Sequence, residues 1–260
     1  MPAFAPDYAR VYDLLYHDKN YAEEARYIVA LLQLYGIVAN DSGNLLDLGC
    51  GTGRFAAELT RHHYTLRGID SSPAMIARAA ERRLLHASFE VGDVRTWQSP
   101  ERFDAAVSLF HVVSYLTTYP DLAAALTTAF RQLRKGGIFI FDFWYGPAVL
   151  RHPPEVRMKF VEDELLEVER IGVPSTDTRG HIVEVRYDIQ VRDKTRTQSS
   201  TPTAADTASF QERHRLRYWF LPELIAHAQR AGFEHLADYT WLTRQPLQPD
   251  AWNGVMVLRK

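Results

Sequence analysis

The sequence predicts an α/β fold carrying a small inserted antiparallel sheet, and three observations lead there. A short apolar run, 45–48, passes at once into three glycines at alternate positions and then into an amphipathic helical pattern from Arg54. Further apolar runs alternate with helical patterns as far as residue 143. Beyond Pro147 the period changes to two: Val183, Val185, Tyr187, Ile189 and Val191 alternate with Glu184, Arg186, Asp188 and Gln190, as in a strand with one buried face.

Composition bounds the rest. The 260 residues, 46% hydrophobic, suffice for one sizeable core with an elaboration, or for one large and one small unit. A net charge of -2 gives no basic field to hold a polyanion, so nucleic acid is not an expected partner. The single cysteine, Cys50, rules out an internal disulfide and fits a reducing compartment. There is no apolar run of membrane-spanning length and no signal-peptide order at the N-terminus, so the expectation is a cytoplasmic protein without a membrane partner.

From the N-terminus, Tyr8, Tyr12 and Tyr16 recur at helical spacing, interleaved with Val11 and Leu15. Asn20 reads as a helix N-cap with Glu23 at the third helical position, and that helix, 21–35, stops at Gly36. The first strand delivers the chain to Asp47 and then to Gly49, Gly51 and Gly53. Missing Cβ atoms here permit a sharp turn and a close ligand. The third glycine comes one residue earlier than in the dinucleotide fingerprint, and Arg54 stands where that pattern needs glycine.

Three acids follow one another along the chain. Asp47 can accept from a ligand ammonium, which a pyrophosphate cofactor lacks. A second strand, 65–69, ends at Asp70, placed for both hydroxyls of a ribose. After a helix opened by Ser72-Pro73, a third strand closes at Asp93, an acceptor for an exocyclic amino group such as that of adenine. Ammonium, ribose and adenine in that order describe S-adenosylmethionine (SAM).

A fourth strand, 104–109, leads to the segment 110–116, and Asp121 reads as the N-cap of a helix through Leu133. A fifth strand, 138–141, runs into Asp142-Phe143-Trp144-Tyr145-Gly146-Pro147. Ligands of open parallel sheets bind beyond the carboxyl ends of the strands, so both segments face the expected crevice. Strands near 162–171, 183–191 and around Leu216, Tyr218 and Phe220 make the insertion, with 195–209 as a mobile hairpin tip. Leu221-Pro222 starts a helix closed by Gly232, and final strands at 234–242 and 254–259 complete the parent sheet.

The strings LLDLGCGTG, GIDSSPAMI, VGDV, FDAAVSLFHVVSYL and LRKGGIFIFDF, in that order over 45–143, resemble the class I SAM-dependent methyltransferase family. The resemblance implies a Rossmann-like seven-stranded sheet, parallel but for its last strand. It implies SAM across the first strand ends, held by Asp47, Gly49, Gly51, Gly53, Asp70, Ser71, Met75, Asp93 and Val94. It divides the chain into an N-terminal helical lid (1–40), a SAM-binding core (41–148), the inserted sheet (149–220) and a segment completing the core (221–260). The Pro-Pro motif of DNA amino-methyltransferases is absent, with Leu109-Phe110-His111-Val112 in its place. A narrower resemblance, carried by YARVYDL at 8–14, FWYGP at 143–147 and the insertion, is to N-methyltransferases of dTDP-linked 3-amino-3,6-dideoxy sugars. In that group a histidine or tyrosine follows the fourth strand, and Tyr115 matches it; the group's Ser-Gly-Arg-Gly segment is replaced by Asp250-Ala251-Trp252-Asn253-Gly254.

An acceptor amine must be neutral to attack, and a hydroxyl would need a base. Tyr12, His111, Tyr115 and Asp142 are the candidates to orient the acceptor or take its proton, and Tyr8, Trp144 and Tyr145 are candidate acceptor contacts. Arg213, Arg215 and Arg217 share a strand face with Arg186 across from them; such guanidinium forks suit a diphosphate. The face as a whole reads as solvated, with Arg215 and Arg217 expected to reach the acceptor. No metal is expected. The residues leave open methylation of another small metabolite, a protein that keeps SAM without transferring methyl, and a nicotinamide oxidoreductase, which Arg54 and Asp47 oppose. An exposed edge of the insertion would support a homodimer.

Overall fold

A computed structural model describes residues 4–39, 43–195 and 207–260, so the tip expected at 195–209 falls largely outside them. In chain order the strands are β1 (Asn44–Leu48), β2 (Thr65–Asp70), β3 (Ala87–Val91), β4 (Phe103–Ser108), β5 (Leu133–Trp144), β6 (Arg157–Glu162), β7 (Leu166–Asp177), β8 (Ile182–Asp193), β9 (Thr207–Arg217), β10 (Glu234–Thr240) and β11 (Asn253–Arg259). The helices are α1 (Pro6–Leu15), α2 (Tyr21–Leu34), α3 (Arg54–Arg61), α4 (Pro73–Glu81), α5 (Val112–Tyr115), α6 (Tyr119–Gln132), α7 (Gly146–Arg151) and α8 (Leu221–Arg230). They form two compact units, Met1–Lys19 with Pro154–Arg215, and Asn20–Pro153 with Leu216–Lys260. The divisions expected at 40, 148 and 220 therefore shift: α1 groups with the inserted sheet and α2 with the core.

The larger unit holds a seven-stranded sheet in the order β10-β11-β5-β4-β1-β2-β3. β1 to β5 pair in parallel, and β11 runs antiparallel to β5 and to β10, as expected. Because successive residues of a strand point to opposite faces, each strand feeds two cores. Leu46, Leu48, Phe139, Phe141 and Met256 pack with Leu122, Leu126 and Leu224 of α6 and α8. Leu45, Val107, Ile140 and Val257 pack with Ile28, Leu32, Phe55 and Leu59 of α2 and α3. The strand order reverses at β1, which lies between β2 and β4, and the glycine turn follows β1 directly.

Capping sets several element starts. Asn20 accepts from Glu23 N–H at 3.1 Å, and its side-chain amide donates to Glu23 Oε2 at 3.0 Å. Ser72 caps α4 through Met75 N–H. The cap of α6 is Thr118, not Asp121: Thr118 Oγ1 accepts from Asp121 N–H at 3.2 Å and donates back to Asp121 Oδ2 at 2.7 Å. Asp121 thus sits three residues inside the helix, where its charge also meets the positive end of the helix dipole.

The small unit's sheet runs β6-β7-β8-β9, one strand more than expected. β6 was hidden because its alternation is inverted: Met158 and Phe160 are exposed, while Val161 is buried on the face that carries Lys159. β9 ends at Arg217, short of Phe220. Among the described residues no helix is long and apolar enough to cross a membrane.

Candidate functional site

The turn after β1 holds Gly49, Gly51 and Gly53 at φ +92°, +54° and +73°, the left-handed region that glycine enters without a Cβ penalty. The three do different work. A Cβ on Gly49 would lie 2.4 Å from Val112 Cγ2 of α5, and one on Gly53 would press on Ala79 and Phe89 at 3.1 Å. A Cβ on Gly51 would meet nothing within 4 Å, so the turn is open to a ligand at its middle glycine. Cys50, between them, is buried beside Gly68, and burial pushes its thiol well up.

Two acids line this turn. Asp70 accepts from Gly51 N–H at 3.0 Å through one oxygen and from Ser72 N–H at 2.8 Å through the other, tying the turn to the start of α4. Burial raises its pKa. Asp47, at the end of β1, is 3% exposed, and its Oδ2 has no hydrogen-bond partner among the described residues. Burial first, and the Asp70 charge second, push its pKa up to about 7. A carboxylate left bare beside an open turn is a receptor for a ligand cation. Ser71 is exposed at the turn after β2, while Met75 is buried under α4. Asp93 lies beyond the end of β3 in a short turn, not at the strand end. Both its oxygens are engaged by Arg95, which holds its pKa low, and Arg95 also reaches Asp121 at 2.7 Å. An adenine amino group would have to share Asp93 with this ion pair. Val94 lines a small apolar cavity with Leu48, Val112 and Leu116.

Beyond β4, Phe110 and His111 both take positive φ, +69° and +63°. Two consecutive non-glycine residues in this region store strain that something must hold. Asp142 holds it: the carboxylate, 2% exposed, accepts from His111 N–H at 2.8 Å, and His111 Nδ1 lies 2.9 Å from its other oxygen. Phe110 stacks on Tyr21, over whose ring the Arg54 guanidinium lies at 4.4 Å. The Trp144 ring lies against His111 and Trp252, and its backbone N–H donates to buried Ser114 Oγ at 3.0 Å. Tyr115, half-buried, ends α5, and Tyr145 N–H donates to Trp252 O. His111 and Asp142 are thus brought together. The supports Ser114, Tyr21 and Trp252 were missed, having no local sequence signal for their pairing across the fold.

The remaining candidates lie elsewhere. Tyr8 and Tyr12 belong to the small unit with α1, where Tyr8 is fully buried against Tyr16, Tyr187 and His214. The expected row of arginines breaks up. Arg213 and Arg215 flank Glu184 at 3.6 Å each, and Arg186 pairs with Asp188. Arg217, nearly buried because β9 ends there, lies between the rings of Tyr119 and Trp219 at 4.4 Å and near Glu223 at 3.6 Å. That is a packing role. Among the described residues no cluster could hold a metal ion.

Residues 45–137 match a family model described as a methyltransferase domain. A dTDP-3-amino-3,4,6-trideoxy-alpha-D-glucopyranose N,N-dimethyltransferase of Streptomyces venezuelae is 34% identical over 143 residues, covering 54% of this chain and 59% of that one. A dTDP-4-amino-2,3,4,6-tetradeoxy-D-glucose N,N-dimethyltransferase of Saccharopolyspora spinosa is 28% identical, covering 55% and 57%. The chain spans less than two thirds of the length of these two relatives. Among solved structures, DesVI of Streptomyces venezuelae is 25% identical with a TM-score of 0.77 over 97% of this chain and 98% of that one. A sugar N-methyltransferase from Streptoalloteichus is 26% identical, also with a TM-score of 0.77, over 96% and 93%.

Proposed function

We propose, from the premise that this chain carries a methyltransferase domain in a class I methyltransferase fold, that it is a SAM-dependent enzyme that N-methylates a nucleotide-linked amino sugar. The observation that carries the cofactor is Asp47, a buried carboxylate with an unpartnered oxygen beside the open middle of a glycine turn. These residues fit SAM: Asp47 would take its ammonium, Asp70 its ribose, and Ser71, Met75, Asp93 and Val94 its adenine end. When bound, SAM supplies an electrophilic methyl group to a nucleophile in line with the departing sulfur.

The chain's own part is alignment and proton handling. Asp142 anchors the His111 backbone N–H, and the ring beside it takes the proton of the acceptor amine, while Phe110 and Trp144 keep water away from it. Tyr115 orients the acceptor, and Tyr145 borders it. The amino-sugar acceptor is supported by the names of the relatives above and by FWYGP and YARVYDL. The lone cysteine supports a cytoplasmic setting, and the edge of β6 that is unpaired among the described residues, with Met158 and Phe160 exposed on the adjoining face, supports a homodimer.

Calorimetric titration with SAM and with NADH, on wild type and Asp70→Ala, tests the cofactor. SAM should bind and the substitution should weaken it at least tenfold; binding of NADH instead of SAM would overturn the reading. Mass spectrometry of dTDP-linked amino sugars incubated with SAM should then show methyl transfer. SAM binding with no methylated product from any of them would favour a SAM-binding protein without transfer.

A further inference from the structure

Arg170, in the middle of β7, is a largely buried guanidinium with no carboxylate within ion-pair distance among the described residues. Its Nη1 donates to Tyr8 Oη at 3.3 Å and Tyr16 Oη at 3.2 Å, and its carbon lies 4.6 Å from the Tyr187 ring centre and 5.4 Å from that of Tyr16. Gly172 makes room for this arrangement, since a Cβ there would lie 2.8 Å from the Tyr187 ring. The acids of this face are engaged elsewhere. Asp18 holds Lys159 at 2.8 Å, Asp193 pairs with Arg10 and Thr195, and Glu212 accepts from the N–H groups of Phe4 and Ala5 at 3.0 Å.

More positive charge lies alongside. The register of β6 on β7 sets Lys159 opposite Arg170 and Arg157 opposite Gly172, so all three cations project from one face. Taking a guanidinium out of water without a counter-charge is costly, and phenol oxygens and ring faces offset only part of it. The Tyr8 and Tyr16 hydroxyls also lie 3.5 Å from each other, so one of the two donates to the other. Burial raises the pKa of Tyr8, and that of Tyr187 is pushed up to about 12, so both remain neutral donors.

We propose that Arg170, with Lys159, Arg157 and the hydroxyls of Tyr8, Tyr16 and Tyr187, forms an oxyanion site that takes a phosphoryl group. Resting on the function proposed above, that group is the diphosphate of the nucleotide-linked acceptor. The guanidinium fork has donors left for bidentate binding, which the engaged Arg215 and Arg217 do not offer as well.

The test titrates the full chain with dTDP, inorganic pyrophosphate and thymidine, using wild type, Arg170→Met and Arg170→Lys. SAM titration and thermal unfolding are run alongside. dTDP and pyrophosphate should bind wild type, with thymidine at least tenfold weaker. Arg170→Met should weaken both anions at least tenfold with SAM affinity unchanged, and Arg170→Lys should fall between. A folded Arg170→Met that binds dTDP like wild type overturns the site, as does wild type that binds thymidine as tightly as dTDP or binds neither anion. Should Arg170→Met fail to fold, Arg170→Lys decides: a several-fold loss of dTDP affinity supports the site, and no loss overturns it. Arg170-dependent pyrophosphate binding without methylation of any amino-sugar nucleotide upholds the site and rejects the acceptor.

Discussion

Asp47 carries an electrostatic cost that the ligand-free protein must bear. Its pKa in the fold, about 7, stands above the ordinary value of about 3.9, so the fold favours the protonated carboxyl. The sign follows: this group's contribution to stability is full below about pH 4 and is lost as pH rises through about 7. Asp47→Asn removes that dependence. Denaturant unfolding without ligand should therefore show Asp47→Asn gaining on wild type between pH 5 and pH 8, and equal pH slopes would contradict the shift. Asp47 and Asp70 were legible because a carboxylate next to a glycine turn is a local pattern. Arg170 was not, since nothing in its neighbours along β7 says that its guanidinium meets the phenols of Tyr8, Tyr16 and Tyr187. The burial of Arg217 was not legible, because a period of two does not show that β9 ends at this residue, against Tyr119 and Trp219.

At the scale of the element, the turn between β1 and α3 separates packing from binding. Gly49→Ala must move Val112 and should cost roughly 1–3 kcal/mol, read from the urea midpoint. Gly51→Ala meets open space, so it should cost only about 1–2 kcal/mol in backbone strain. Its larger effect should be on SAM, with at least a tenfold loss by calorimetry, and unchanged SAM affinity would remove the ligand from that side of the turn. The turn after β4 answers to a different control. Asp142→Ala leaves the strained Phe110–His111 pair without its acceptor and should lower stability by about 1–3 kcal/mol. Strands of the larger sheet were legible from apolar runs and glycine punctuation. Asp121 was misassigned as a cap because Thr118, three residues earlier, offers the same oxygen at the true start of α6, and β6 was missed because it shows its apolar side to solvent.

For the whole molecule, the free edge of β6 makes oligomeric state a direct readout. Light scattering should give a dimer, and Phe160→Lys on the exposed face should shift it toward monomer; a monomeric wild type would remove the homodimer from the proposal. The seven-stranded sheet was legible through the family resemblance that five motifs in series carry, whereas the partition into two units was not, because it depends on residues 1–19 finding 154–215 across the whole first segment of the core. That separation has a consequence for synthesis. A ribosome makes α1 first and its partner strands β6 to β9 only after the parallel strands have emerged, so Tyr8 and Tyr16 wait, uncovered, while the larger unit can already condense. The strands of the small unit pair with their sequence neighbours, but joining α1 to them is a long-range step, the slow kind, and the tyrosine stripe is a natural hold for a chaperone during that interval.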